Sequence, residues 1–245
     1  MHKVLILGGA SAIAQATARL FASEGASLFL TDLREERLKM VADDLKVRGA
    51  AKVEYLAVDA NDLERHEETL QAADAALGGL DAALIAYGTL PDQRACEQSW
   101  ELTQREFSTN GLSLLSYLRL LGNYFETKRA GCIAAISSVA GDRGRQSNYT
   151  YGAAKGAVAI YLGGLRHHLY KSGVKVVTIK PGFVDTPMTA AYKKGLLWAK
   201  PEAVARSIYR AMRRGKGVIY VPWFWWFIML IIRNLPDCIF NRTKL

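Results

Sequence analysis

"VLILGGASAIAQATA", residues Val4 to Ala18, runs four aliphatic residues into two glycines and then into a pattern of small residues with helical spacing. A short apolar run bounded by turn residues reads as a strand buried on both faces. Gly8-Gly9 permit a tight turn and a close backbone approach, and the following helix start offers unpaired N–H groups to a pyrophosphate. Ala14 stands where a third glycine is usual. On its own the segment is equally an ordinary strand-to-helix turn. It also mimics a secretory signal, but its apolar run is only Val4 to Leu7, which favours the buried strand.

Working outward, the same alternation recurs along the chain. Val4–Leu7, Ser27–Thr31, Val53–Val58, Ala82–Ala86, Cys132–Ser137, Val174–Ile179 and Val218–Val221 read as strands. Segments near 12–23, 34–48, 62–77, 99–127, 152–171 and 201–214 carry helical periodicity. Parallel neighbours need crossover connections, so this order predicts an α/β fold: about seven parallel strands, doubly wound, with helices on both faces. A single domain over 1–245 suits the length, because no repeat or Pro/Ser-rich linker divides the chain. The ligand crevice of such a sheet lies at the carboxyl ends of its strands, on loops 8–14, 86–94, 137–150 and 181–195.

Asp32, in "SLFLTDLREER", lies 23 positions beyond Gly9, about where an acid meets the adenosine ribose of a dinucleotide. A carboxylate there repels a 2′-phosphate, so NAD is favoured over NADP; Arg34 nearby leaves NADP open. Asp59, closing strand three, either meets the adenine or caps a helix. Further on, "ISSVAGDRGRQSNYTYGAAKGA" (136–157) sets Tyr151 and Lys155 four apart, with Ser138 thirteen positions upstream of the tyrosine. Residues four apart share a helix face. An ammonium ~4 Å from a phenolate, at an effective dielectric of about 20, attracts it by of order 4 kcal/mol. The expectation is a phenol brought below its ordinary pKa of about 10, fit to exchange a proton with a carbonyl oxygen.

These pieces together resemble the short-chain dehydrogenase/reductase family over nearly the whole chain. The matching residues are Gly8-Gly9 with Ala12-Ile13-Ala14, Asp32, Asp59, "AYG" at 86–88, Asn110 in "STNGLS", Ser138 in "ISSVAG", Tyr151 and Lys155 in "YGAAK", and "KPGFVDTP" at 180–187. The resemblance implies a single-domain Rossmann-type fold and hydride transfer between a nicotinamide cofactor and a ketone or secondary alcohol. It implies a catalytic set of Asn110, Ser138, Tyr151 and Lys155. It implies cofactor contacts at Gly8, Gly9, Ser11, Ile13, Asp32, Asp59, Ala86, Gly88, Tyr151, Lys155, Pro181, Gly182, Val184 and Thr186. It also implies a homo-dimer or homo-tetramer built on the helices around 99–127 and 152–171. Two departures bear on cofactor geometry: a glycine loop one residue short, and Ala86-Tyr87-Gly88 where Asn-Ala-Gly is usual. Within the family, "SSVAGDRGRQSNYTYGAAKG" and the terminal aromatic stretch are similar to decaprenylphosphoryl-2-keto-ribose reductases, which implies a lipid-linked keto-sugar substrate.

Arg143 and Arg145 flank the expected substrate mouth, where they either clamp an anionic group or are solvated loop charges. Tyr149, on another helix face, is wall packing or a substrate contact. Cys96, Cys132 and Cys238 are widely spaced and accompany only four histidines, which argues against a disulfide framework or a metal site.

The net charge of +9 falls wholly in residues 193–245, where eleven Lys/Arg face Glu202 and Asp237. There "VPWFWWFIMLII" (221–232) would reach about 18 Å as a helix, short of a ~30 Å hydrocarbon core. Its tryptophans and basic flanks fit a membrane interface; a dimer contact, a lid or plain core are the alternatives. The expected setting is the cytoplasm, at the inner face of the membrane. No nucleic-acid-binding motif accompanies the basic excess. A rival from another class is a catalytically idle dinucleotide-binding sensor or membrane-associated scaffold.

Overall fold

In a computed structural model that describes residues 1–243, seven strands form the frame: β1 (Lys3–Leu7), β2 (Ser27–Asp32), β3 (Lys52–Ala57), β4 (Ala82–Ile85), β5 (Cys132–Ile136), β6 (Lys175–Pro181) and β7 (Val218–Val221). They make one parallel sheet in the order β3-β2-β1-β4-β5-β6-β7. β1 and β4 are neighbours in register from Val4↔Ala82 to Leu7↔Ile85, so the strand order reverses beside β1. A crevice opens at such a reversal. Lys244 and Leu245, the end of the expected tail, lie outside the described residues.

The two-residue period of a strand sends neighbours to opposite faces, and with both faces covered the runs are apolar throughout. Val4 and Ile6 enter one core with Phe21 of α1 (Ala12–Ala22), Leu38 and Leu45 of α2 (Glu35–Val47), and Ile208 of α8 (Pro201–Arg214). Leu5 and Leu7 enter the other with Leu70 of α3 (His66–Leu77), Leu118 of α6 (Ser113–Lys128), and Val158 of α7 (Tyr149–His168). Helix ends follow their capping residues. Ser11 caps α1 by accepting from the N–H of Ala14 at 3.2 Å, and Gly215 closes α8 in the left-handed conformation.

Departures from the sequence expectation are local. The segment 99–127 is α5 (Trp100–Phe107), one turn of π-helix at Ser108–Leu112, and α6. Before it lies α4 (Gln93–Gln98), which the periodicity does not suggest because six residues hold too few turns to show one. Asp92 starts it, accepting from the N–H groups of Arg94 and Ala95. The tail forms α9 (Trp225–Asn234) and α10 (Asp237–Phe240). Trp225, Met229 and Ile232 of α9 pack on Val139 as a small third core, while Trp226, Phe227, Leu230 and Ile231 stay exposed. No described helix is long and apolar enough to cross a membrane.

Candidate active site

The carboxyl ends of β1, β2, β4, β5 and β6 surround a cleft of about 690 Å³, within the ~300–1,000 Å³ usual for ligand pockets. Gly8 turns the chain after β1 with φ +85°; a Cβ there would also lie 2.6 Å from the backbone nitrogen of Tyr87. Glycine is therefore required twice over, by conformation and by space. Beyond it, Ala12 and Ile13 are the first helical residues of α1 and line the cleft, and the N–H groups of such residues lack intrahelical partners. Asp32 ends β2 on the same rim. Its carboxylate accepts from the N–H of Ala10 at 3.1 Å and from that of Leu33 at 2.9 Å, so it is held in place. Free helix N–H groups and a fixed carboxylate, about one strand apart, suit the pyrophosphate and ribose of a dinucleotide.

Toward β5 and α7 the cleft gathers a phenol, an amine and a hydroxyl. Tyr151 and Lys155 rise from one face of α7, with the lysine Nζ 5.7 Å from the phenol ring centroid. Lys155 is buried, and Nζ lies 3.4 Å from the carbonyl of Ile136. Ser138 begins the loop after β5, its hydroxyl accepting from the N–H of Ala140 at 3.1 Å. Asn110 sits in the π-turn, fully buried, where such turns re-aim a side chain. Its Nδ2 donates to Thr89 Oγ1 at 2.9 Å and its Oδ1 accepts from the Thr89 N–H at 3.1 Å. Gly88 separates Asn110 from Lys155. A Cβ at Gly88 would lie 2.8 Å from Asn110 Oδ1 and 3.2 Å from Lys155 Nζ, so only glycine fits between the two side chains.

One electrostatic expectation is overturned. Burial pushes the Tyr151 phenol up to about 12, with the adjacent Ser138 hydroxyl pulling the other way. Burial also brings the Lys155 ammonium down to about 7. Both shifts disfavour charge. The attraction reasoned from the four-residue spacing stands before any cost of desolvation, and here desolvation dominates both groups. The phenol is held as an acid.

A sequence profile described as short chain dehydrogenase matches residues 2–196. The chain belongs to the short-chain dehydrogenase family. An uncharacterized oxidoreductase of Mycobacterium tuberculosis is 33% identical over 239 residues, 98% of this chain and 96% of that protein. One of Streptomyces coelicolor is 33% identical over 242 residues, 98% and 95% respectively. A more distant one of Staphylococcus aureus is 28% identical over 218 residues, 87% and 92%. The family binds NAD(P)(H).

Most residues singled out from the sequence line one cleft: Gly8, Ser11, Ile13, Asp32, Asp59, Ala86, Gly88, Ser138, Tyr151, Lys155, Pro181, Gly182, Val184 and Thr186. Gly9 instead faces the core, its Cβ direction pointing at Leu30 and Leu38. Arg143 is not at the substrate mouth. Its guanidinium donates to the carbonyls of Ile232 and Leu235, both at 2.6 Å, pairs with Asp237 and lies over the Phe240 ring. The carbonyls left free at the end of α9 attract the cation, so Arg143 fastens the tail to the dehydrogenase domain. Tyr149 is exposed and donates to Glu97 at 2.8 Å, outside the cleft lining. Arg145 does line the cleft. It is 8% exposed, its Nη2 lies 3.3 Å from Met229 Sδ, and its Nε is buried without a partner.

Sequence reasoning misses a buried network behind the Ser138 loop. Asp142, with 3% of its side chain exposed, pairs with Lys180 of β6 and accepts from the Tyr220 hydroxyl of β7 at 2.6 Å. Three segments distant in sequence meet there, and no local pattern announces it. Asp142→Ala leaves the Lys180 ammonium buried and unpaired, a loss of about 3–5 kcal/mol expected in urea unfolding. Adding Lys180→Met should restore much of that stability; an unaltered midpoint in the single variant would show the network to be idle.

Proposed function

We propose that this short-chain dehydrogenase reduces a ketone, or oxidises the matching secondary alcohol, with NAD(H) as the favoured cofactor and Tyr151 as the proton donor. The observation that carries the reading is a phenol, a hydroxyl and a buried amine on one wall of the cleft whose other wall has the helix N–H groups and Asp32. When bound, the nicotinamide supplies or accepts the hydride. Tyr151 then hands its proton to the oxygen that becomes an alkoxide, and Ser138 hydrogen-bonds the same oxygen. Lys155 stabilises the phenolate left behind, and Asn110 fixes the Thr89 loop through two hydrogen bonds. Asp32 supports NAD over NADP, because a carboxylate fastened by two backbone N–H groups cannot turn away from a 2′-phosphate.

The substrate in this reading carries an anionic group, as a polyprenyl-phosphoryl keto-sugar would. Arg145 supports it: burial lowers the guanidinium from its ordinary value, with the Asp142 carboxylate pulling the other way. Yet Asp142 pairs with Lys180, and no carboxylate forms an ion pair with Arg145 among the described residues. A buried, unpaired cation costs stability unless a ligand anion answers it. The test is coenzyme oxidation followed with NADH and NADPH over a panel of ketones, charged and neutral. Arg145→Gln should raise KM for a phosphorylated or carboxylated ketone roughly tenfold or more, the loss of one charge-assisted contact, and leave a neutral ketone unchanged. Equal losses on both would remove the anion role. No turnover with any ketone would favour the idle binding protein.

A further inference from the structure

A second hollow, about 620 Å³, lies between α8, β7 and the start of α9 and shares no lining residue with the first. Its depth comes from Ala203, Ser207 and Ala211, small residues four apart on one stripe of α8. Arg210, Arg214 and Lys216 supply its charge, and no acidic residue lines it. None of these cations pairs with an acid among the described residues, although adjacent Arg213 pairs with Glu24. Trp223 and Trp226 line it too, 72% and 48% exposed, and the apolar surface continues over Leu230 and Ile231.

Unpaired cations beside exposed tryptophans, bordered by aliphatic side chains, match one chemistry well. At a bilayer surface the indoles settle at headgroup depth, the cations meet phosphates, and the aliphatic residues reach the acyl boundary. A free phosphorylated metabolite would need the arginines but leaves Leu230 and Ile231 in water. A second copy of this face would set its basic charge against itself. α9 has ten residues, about 15 Å, so it can lie in the interface but not span.

We infer that the hollow between α8 and α9 binds the phosphate of an anionic membrane lipid, with Trp223, Trp226 and Phe227 seated in the interface. The dehydrogenase then works from the bilayer surface, whatever its ketone.

The test is co-sedimentation of the full chain with vesicles of pure phosphatidylcholine and with vesicles enriched in phosphatidylglycerol. Binding is expected to the second and not the first, and to weaken as salt rises. Arg210→Gln with Arg214→Gln should cut partitioning about thirtyfold, given the usual contribution of each cation near an anionic surface. Trp223→Ser with Trp226→Ser should reduce it as well. Unchanged melting and NADH binding in both variants would separate this from misfolding and from the reading of the catalytic cleft. Failure to bind phosphatidylglycerol vesicles, equal binding to both kinds, or indifference to both double variants overturns the inference. So does saturation by free glycerol phosphate without vesicle binding, or self-association abolished by the tryptophan variants.

Discussion

Tyr151→Phe should lower kcat by about 10²- to 10⁴-fold on any ketone that the protein turns over, with cofactor affinity and melting temperature nearly unchanged. The reasoning starts from the one atom removed. The phenol stands on α7 facing the cleft, and burial holds it protonated up to about 12, so at neutral pH it is a loaded acid. An alkoxide forming beside it without that proton has only Ser138 and solvent to turn to. Phenylalanine preserves the ring and its contacts, hence the fold. Single-turnover rates separate this from a binding effect, because a lost proton donor acts on the chemical step and leaves ground-state affinity alone. A variant within tenfold of the parent would transfer the acid role to another group. A parent that is itself inert to every ketone, while binding NADH, would instead sustain the idle reading.

The frame of the fold is written locally. Val4–Leu7, Ala82–Ile85 and Cys132–Ile136 are buried on both faces, and unbroken apolar runs of four or five residues between turns suit a doubly covered strand. Their spacing by helical segments then sets a parallel sheet, and the rim loops follow from the topology. Tyr151 and Lys155 are legible for the same reason, since a four-residue interval on a helix carries geometry with it. What stays hidden depends on distant partners. Arg143 reads as a mouth residue until α9 and α10 fold back and present two carbonyls and Asp237 to it. Asp142, Lys180 and Tyr220 carry no signal in their own segments and meet only in the folded chain. The direction of the Tyr151 shift is hidden too, because spacing reports proximity but says nothing of how much water is lost.

That lost water gives the second large effect, on stability rather than rate. Lys155→Met should make the protein more stable at pH 7 while abolishing most of its activity. Free in the unfolded chain, the amine titrates near its ordinary value of 10.5; in the fold it falls to about 7. Between those limits the unfolded state holds a proton that the native state does not, so native stability rises with pH there. Lys155 is therefore most destabilising at and below pH 7, and its penalty fades as pH climbs toward 10.5. The stability gain of Lys155→Met should accordingly shrink by up to about 1.4 kcal/mol for each pH unit above 7. Tyr151 faces the same pocket and titrates in the unfolded chain near 10, so the comparison belongs between pH 7 and 9.5. Repeating it in a Tyr151→Phe background removes that neighbour altogether. Urea unfolding at several pH values decides the matter. A gain that does not change with pH would mean the lysine keeps its charge in the fold, and an outright loss would mean its ammonium is paired. Either result would return Lys155 to the simpler role that its spacing suggests, a permanent positive charge beside the phenol.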